Sequence, residues 1–579
     1  LTILGYVVFL GALVAVMTQA LNRSMNRLQR GRTPIAQNNH VLILGWTNRT
    51  PIMIKQLLLS QRRVRNYLRR RDASRLHIVI LAEEVTPEIM TDLRSFLGGY
   101  RQARTVTIRS GTPLRLEHLE RVDYRHAGVI ILPGGEFGEE TLAYPDGRTV
   151  KTLLSMRRDA GTDGEGKGGG DIGRPNEAAL PFMVAEIRDY RKGKIAVGAY
   201  GGPIETLESD LFLARLLSQI IRVPGLSHIY YELLTHEEGN ELYLRHYSRL
   251  VGCRVDALQH HFSRAILLGL YRDDAQRFWP LPSVADEILG PNDRLVLVAP
   301  GAEADDLLDS IPPQADLSGN KVMTSAATII TEAAAVEPIA TEQPLPSPES
   351  TEHRRILVLG WNASTPPLLA TLDRSDPPYV ITNLALLSEE ERQTQLRRRG
   401  VQLERTALRT VTGEFTSAPE LAALRPWEFD TIVISASEWL ETAGESDART
   451  VLGYQIVASI LEEHPEQPHI LAQLMNEANA SLFPEDRCET MTGPVVLSHV
   501  LAQIALQRDL HGLVDELFGP TGAEIYFREI ACYGFGTGDH VFEDLRRTAL
   551  AVGEIAIGLR RRDRLGENGG ILLNPDRTV

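Results

Sequence analysis

Seven carboxylates of this chain fall where apolar runs end. Glu83 and Glu84 follow HIVILA, Glu136, Glu139 and Glu140 follow VIILPGG, Asp146 opens the next helical stretch, and Glu186 closes PFMVAE. Held at the carboxyl edge of a parallel sheet, such groups could bind a hard divalent cation such as calcium, which takes several oxygen ligands at once. A simpler role is open to each of them. Asp146 can accept from the free N–H groups of a helix's first turn, and the rest can be solvated strand ends. A second possible chemistry lies in HVLILGWTNR, from His40. Gly45, Trp46 and Thr47 follow an apolar strand as the phosphate-binding turn of a dinucleotide fold does, and Glu83 could then meet a ribose hydroxyl. The residues disfavour NAD at this turn. Thr47 and Thr50 stand where the second and third glycines belong, and Glu83 lies far beyond the roughly 20-residue spacing of that fingerprint.

These positions need elements to hold them. HVLILGW, HIVILAEE, TVTIRSG and VIILPGG read as strands; PIMIKQLLLSQRRVRNYLRRR and LRLEHLERV read as helices between them. Such alternation indicates right-handed crossovers and a parallel, doubly wound sheet. The same design returns later. Gly45-Trp46 matches Gly360-Trp361, PDGRT around Asp146 matches SDART around Asp447, Gln219 matches Gln503, and ELYLR from Glu241 matches EIYFR from Glu524. Four anchors in one order describe a duplicated module. In the second copy Asn362 and Thr365 replace the glycines, and Gln473 stands where the first copy has Glu186.

The expected fold is therefore α/β: two tandem Rossmann-like, doubly wound modules, each with a small α+β C-terminal subdomain, preceded by the end of one transmembrane helix. The boundaries are 1–21 for the membrane segment, 22–39 for a basic linker, and 40–310 for the first module, divided into 40–220 and 221–310. A Pro-, Ser- and Glu-rich linker occupies 311–353, and 354–579 form a second module cut short at its C-terminus. Residues 1–21 carry no charge and would reach ~30 Å as a helix, enough to span a bilayer's hydrocarbon core. Arg23, Arg27, Arg30 and Arg32 directly after it mark the cytoplasmic side, which places residues from about 22 onward in the cytoplasm.

Composition narrows the function. A net charge of −14 excludes a general nucleic-acid binder, which would present a basic face. Cys253, Cys488 and Cys532 are widely spaced, with no C-x-x-C pair. The 15 histidines show no ligand spacing beyond the adjacent His260 and His261, read as a surface pair, and no P-loop, G-x-S-x-G or H-E-x-x-H motif is present. Catalysis is not expected. The run QRRVRNYLRRRDASR reads as the solvated end of a helix, with an anion or lipid headgroup as the sharper alternative. The helical stretches LLSQIIRVPGLSHIYYELL and VLAQIALQRDLHGLVDELF, apolar over more than one face, read as subunit interfaces.

HVLILGWTNR, VILAEE, TIRSGTPLRLEHLERV and the duplicated D-x-R-T together resemble the CASTOR/POLLUX ion-channel family. AILLGLYRDDAQRFWPLPSVADEILGPNDRLVLVA, with the turn Pro291-Asn292-Asp293-Arg294-Leu295, resembles the small subdomain of a regulator-of-potassium-conductance module. The resemblance implies a homotetrameric cation channel whose inner pore helix leads into two modules per subunit, eight in a cytoplasmic gating ring. Ligand binding in the ring would be coupled to the pore, with membrane lipid and a divalent cation as further partners. Related calcium-gated modules place ligands where Asp146 and Glu186 fall, although a further acidic position is Arg188 here. The alternative is a membrane-anchored nucleotide-binding regulator or NAD-dependent oxidoreductase without a pore.

Overall fold

The computed structural model describes residues 13–19, 31–86, 89, 91, 93, 97, 105–135, 146–162, 180–234, 239–272, 275, 277–300, 307–308, 354–440, 442–465, 467–519, 523–536, 540–564 and 568–577. Residues 13–19 are helical. The rest of the 1–21 span, residues 22–30, the linker 311–353 and Glu136, Glu139 and Glu140 lie outside the described residues. Among the described residues no helix is long and apolar enough to cross a membrane.

The first sheet contains β1 (Val41–Leu44), β2 (Ile78–Ala82), β3 (Val106–Ser110), β4 (Val129–Leu132), β5 (Phe182–Ile187) and β6 (Ile204–Glu208), in the order β3-β2-β1-β4-β5-β6. Every pairing is parallel. All residues of β1, β2 and β4 are buried, as unbroken Val/Ile/Leu runs require when helices cover both faces of a parallel sheet. A four-stranded antiparallel subdomain follows: β7 (Asn240–Arg245), β8 (Ile266–Arg272), β9 (Arg277–Pro280) and β10 (Asp293–Pro300), in the order β7-β10-β8-β9.

The second module repeats the sheet. Strands β11 (Arg354–Leu359), β12 (Tyr379–Ala385), β13 (Ala407–Thr412), β14 (Thr431–Ile434), β15 (His469–Leu474) and β16 (Cys488–Thr492) lie in the order β13-β12-β11-β14-β15-β16. After it the copies diverge. The stretch Glu524–Arg528 matches the β7 sequence yet forms no strand, and the strands among the described residues after it are the hairpin of β17 (Gly558–Arg560) and β18 (Ile571–Leu573). Ala523, Ile525 and Phe527 instead pack on the core shared by both modules.

Helices tie the two sheets together. In the first module α1 is Arg49–Leu59, α2 Gln61–Arg70, α3 Leu116–Arg121, α4 Gly147–Thr162, α5 Gly193–Tyr200, α6 Ser209–Arg222 and α7 Leu226–Leu234. In the second, α8 is Thr365–Leu372, α9 Glu389–Arg399, α10 Ala418–Ala423, α11 Ala443–Leu461, α12 Gly493–Leu506, α13 Leu510–Leu517 and α14 Phe542–Ala551. The first helix of each module packs against the helix that follows the sixth strand of the other, α1 on α12 and α8 on α6. The chain thus has a pseudo-twofold relation between its halves. Alternation along the first strands serves it: Val41 and Ile43 enter one core that also holds Ile356 and Val358, while Leu42 and Leu44, like Leu357 and Leu359, face separate outer clusters.

Two expectations change at this point. The helices read as subunit interfaces are the seam inside one chain, where every residue of α12 is buried. The Arg-rich run is not simply a solvated helix end. The helix breaks at Ser60, and Arg63 is buried, pairing with Glu241 at 3.1 Å and donating to the carbonyl of Leu242. Arg70 donates across the seam to the carbonyl of Leu506 at 3.0 Å.

Candidate functional site

In each module the strand order reverses direction between the first and fourth strands, and ligands of doubly wound sheets bind outside the carboxyl ends there. The turn after β1 leaves the strand at Gly45, whose φ of +142° a side chain would strain; Gly360 at +90° does the same after β11. The threonine at the third glycine position has a definite task. Thr50 Oγ1 accepts from the Thr47 amide at 2.9 Å and donates to the Gly45 carbonyl, and Thr365 Oγ1 accepts from the Asn362 amide at 3.0 Å. A hydroxyl pins a turn whose amides a pyrophosphate would otherwise use. Trp46 packs against the shared core, and Trp361, buried, donates Nε1 to Gln395 at 2.7 Å. Glu83 is exposed and pairs with Arg148 of the D-x-R-T motif.

The acidic residues predicted to attract a cation are met by the protein's own donors. Glu186, at the end of β5, pairs with buried Arg49 from the start of α1 and accepts the Gly134 amide at 2.9 Å. Burial pushes its carboxyl up, but the Arg49 guanidinium and these donors hold it below the ordinary carboxylate range. Asp146 accepts the amides of Arg188 at 2.7 Å and Asp189 at 3.1 Å, and Lys192 Nζ lies 3.3 Å away. It therefore caps the loop after β5 and not its own helix, and it sits at φ +73° to do so. Asp447 does the same within α11, accepting the amides of Met475 at 2.8 Å and Asn476 at 2.9 Å. The helix cap there is Thr442. Both Asp146 and Glu186 thus have donors of the protein's own. Among the described residues no group of three or more His, Cys, Asp or Glu is placed to hold a metal.

What sequence reasoning missed is the seam between the two crevices. Arg188, noted only as a missing acid, is buried, with Nε 3.2 Å from Asp210 and Nη2 2.7 Å from Glu438 of the second module. Burial alone would lower its pKa; Asp210 and Glu438 reverse the direction and raise it. Arg399 of α9 reaches back to Asp210 at 2.8 Å. Three guanidinium groups, on Arg49, Arg188 and Arg399, thus face three carboxylates, on Glu186, Asp210 and Glu438. In the second module neutral groups occupy the place of the Arg49–Glu186 pair: Asn362 Nδ2 donates to Gln473 Oε1 at 2.8 Å. The cavity between the crevices is about 50 Å³, far below the ~300–1,000 Å³ of small-molecule sites. A dinucleotide does not fit it.

A second reciprocal contact joins the halves. Glu489 of β16 accepts the amides of Gly225 and Ser227, both at 2.8 Å, at the start of α7, and pairs with His469 at 2.8 Å. Its counterpart Glu205 of β6 meets Arg508 at 2.7 Å and His511 at 3.0 Å, at the start of α13.

Two Rossmann-like modules are thus packed crevice to crevice within one chain. The fold matches that of the human SLO3 gating ring with a TM-score of 0.60, over 94% of this chain and 97% of that one, at 12% identity. Residues 210–313 match the family described as Castor and Pollux, part of voltage-gated ion channel. Over 96% of its length the chain is 22% identical to the probable ion channel POLLUX of Arabidopsis thaliana and 23% identical to the ion channel CASTOR of Lotus japonicus. It spans 65% and 63% of those relatives' own lengths. The resemblance read from the duplicated LGW and D-x-R-T motifs thus extends along nearly the whole chain.

Proposed function

We propose that this chain is the cytoplasmic gating-ring portion of a ligand-regulated cation-channel subunit, with residues 1–21 forming the end of a pore-lining helix and 22–39 the linker that transmits movement to it. The carrying observation is the ionic seam of Arg188, Asp210, Glu438 and Arg399, which makes the two modules one lever. The relatives' names supply the channel. A ligand gates only by binding two arrangements of such a lever unequally. Four chains would contribute eight modules to the ring, and the membrane would hold the remainder. Leu154 on α4 and Ile195 and Val197 on the adjacent α5 are exposed apolar side chains that a neighbouring copy would cover. Calcium as the regulator would have to take Glu186 from Arg49 and Asp146 from two amides, so the reading does not rest on it. No catalytic step enters it.

The test is a recording from the full-length protein in planar bilayers under potassium, sodium and calcium gradients. A cation current that Glu438→Gln alters in open probability but not in unitary conductance is expected. An inserted, oligomeric protein that passes no ion would overturn the proposal and favour a regulator without a pore.

A further inference from the structure

The pseudo-twofold relation between the modules is broken at one place. On one side of the seam α12 packs against α1 and is buried at every residue, Val495, His499, Ala502 and Leu506 included. On the other side, α6 holds Leu211, Arg215, Ser218 and Arg222 at the matching positions, aligned through Gln219 and Gln503. Although α6 packs on α8, these residues also border open space. They line a cavity of about 400 Å³ whose far wall is the end of α8 and the turn after it. Duplication produced two equivalent faces, one sealed and the other opened and charged.

The charge in the cavity is positive. Arg215, Arg222, Arg374 and Arg399 line it, against Asp376 and Glu524. Arg399 is held by Asp210 at 2.8 Å and Arg222 by Glu524 at 3.0 Å. Among the described residues Arg215 meets Asp515 at 3.8 Å, and no carboxylate lies at ion-pair distance from the Arg374 guanidinium. Burial holds Arg215 below its ordinary pKa; Asp515 and Glu208 offset this in part, and Arg374 adds to it by like-charge repulsion. Two guanidinium groups that repel each other across a cleft are a site for an oxyanion, and the fork of Arg matches phosphate bidentately. The volume exceeds what one inorganic phosphate fills and lies within the range of metabolite pockets. Tyr190 and Leu211 add a ring and an aliphatic wall.

We propose that this inter-module cleft binds a small organic polyphosphate, with phosphate groups between Arg215 and Arg374 and the organic part against Tyr190 and Leu211. The site is separate from both first-strand turns. It connects to the seam through Arg399, which lines the cleft and also holds Asp210, so an anion that draws Arg399 shifts the partners of Arg188. The inference goes beyond the channel reading and does not need it.

Isothermal titration of the full chain with ADP, pyrophosphate and adenosine tests the proposal. ADP and pyrophosphate are expected to bind and adenosine not to. Arg374→Gln, at an exposed turn, weakens ADP by about tenfold or more, Arg374→Lys by less, and Arg148→Gln leaves it unchanged. Arg215→Gln gives a larger loss. Failure of both phosphates to bind at millimolar concentration, or an ADP affinity that Arg374→Gln does not move, overturns the assignment. Binding is measured without a pore, so its failure leaves the channel reading standing, and a silent bilayer leaves the cleft standing.

Discussion

Arg188 in the loop after β5 donates to Glu438 in the loop after β14 at 2.7 Å, and the two residues are 250 positions apart in the chain. Their side chains are 7% and 13% exposed, so neither charge can be left to water. Removing one partner of a buried pair strands the other, at about 3–5 kcal/mol, whereas removing both charges costs much less. Arg188→Met should therefore lower the urea midpoint sharply, because it strands Glu438 and leaves Asp210 with Arg399 alone, and adding Glu438→Gln should recover part of the loss. Equal midpoints for the wild type and Arg188→Met would mean that the seam adds nothing to stability.

The paired aspartates of the D-x-R-T motif invite a different measurement. Asp146 and Asp447 each take two amides of the loop that follows the fifth strand of their module. A buried N–H left without a partner costs about 1–3 kcal/mol. Hydrogen exchange at residues 475 and 476 should accelerate in Asp447→Ala, and at 188 and 189 in Asp146→Ala. Added calcium should leave the protection at 188 and 189 unchanged in the wild type. Release of those amides by calcium would return Asp146 to the role of metal ligand.

Much of the fold was legible because its signals are local. HVLIL, HIVILA, TVTIRS and VIIL became β1 to β4 as continuous apolar runs, and the order of repeated anchors identified the second sheet. Thr50 and Thr365 were legible as departures from the glycine pattern, because each hydroxyl stands at a glycine position and closes its own turn. The seam was not legible. Arg188 reads as a missing acid until Asp210 and Glu438 are folded against it, and no spacing rule links Arg399 to Asp210. The match of Glu524–Arg528 to β7 misled for a related reason. A strand needs an edge to pair with, as β7 has in β10, and the described residues of the second module present no such partner. The apolar helices were read as subunit interfaces and pack within one chain, because periodicity does not say whether the partner is a second chain or the other half of the same one.

The contact at the start of α13 should depend on pH. His511 lies 3.0 Å from Glu205 and 3.7 Å from Asp515, with Arg508 on the same glutamate. Burial lowers the imidazole's pKa, but Glu205, Asp515 and Glu208 outweigh it and leave it raised above 6.5. A raised folded value means that the contribution is complete below pH 6.5 and is lost as pH rises through the folded value. Glu205 is depressed despite its burial, because His511 and Arg508 hold it charged; its contribution is present above pH 4.5 and is lost as pH falls through the folded value. Between those limits the contact is strongest. Apparent melting temperatures of wild type and His511→Asn should therefore differ most near pH 5.5–6.5 and converge above the raised value. A difference that is constant from pH 6 to 9 would remove the charge from the explanation.

Assembly into a ring requires a surface that one chain leaves uncovered. Ile195 is 59% exposed and Val197 46% exposed on α5, and Leu154 is 49% exposed on α4, which packs beside it. Exposed apolar side chains scattered singly mean little, but Ile195 and Val197 lie at opposite rims of the exposed side of α5, and a neighbouring copy that covers that side would bury both. Because these side chains lie outside the core, charging them costs the folded chain little and an interface a great deal. Light scattering on residues 37–579 should give an assembly larger than a monomer. Ile195→Glu with Val197→Glu should shift the mass downward while the melting temperature changes by no more than a few degrees. An unchanged mass in the double variant would place the ring contact elsewhere, and a wild type that is monomeric at micromolar concentration would remove the ring.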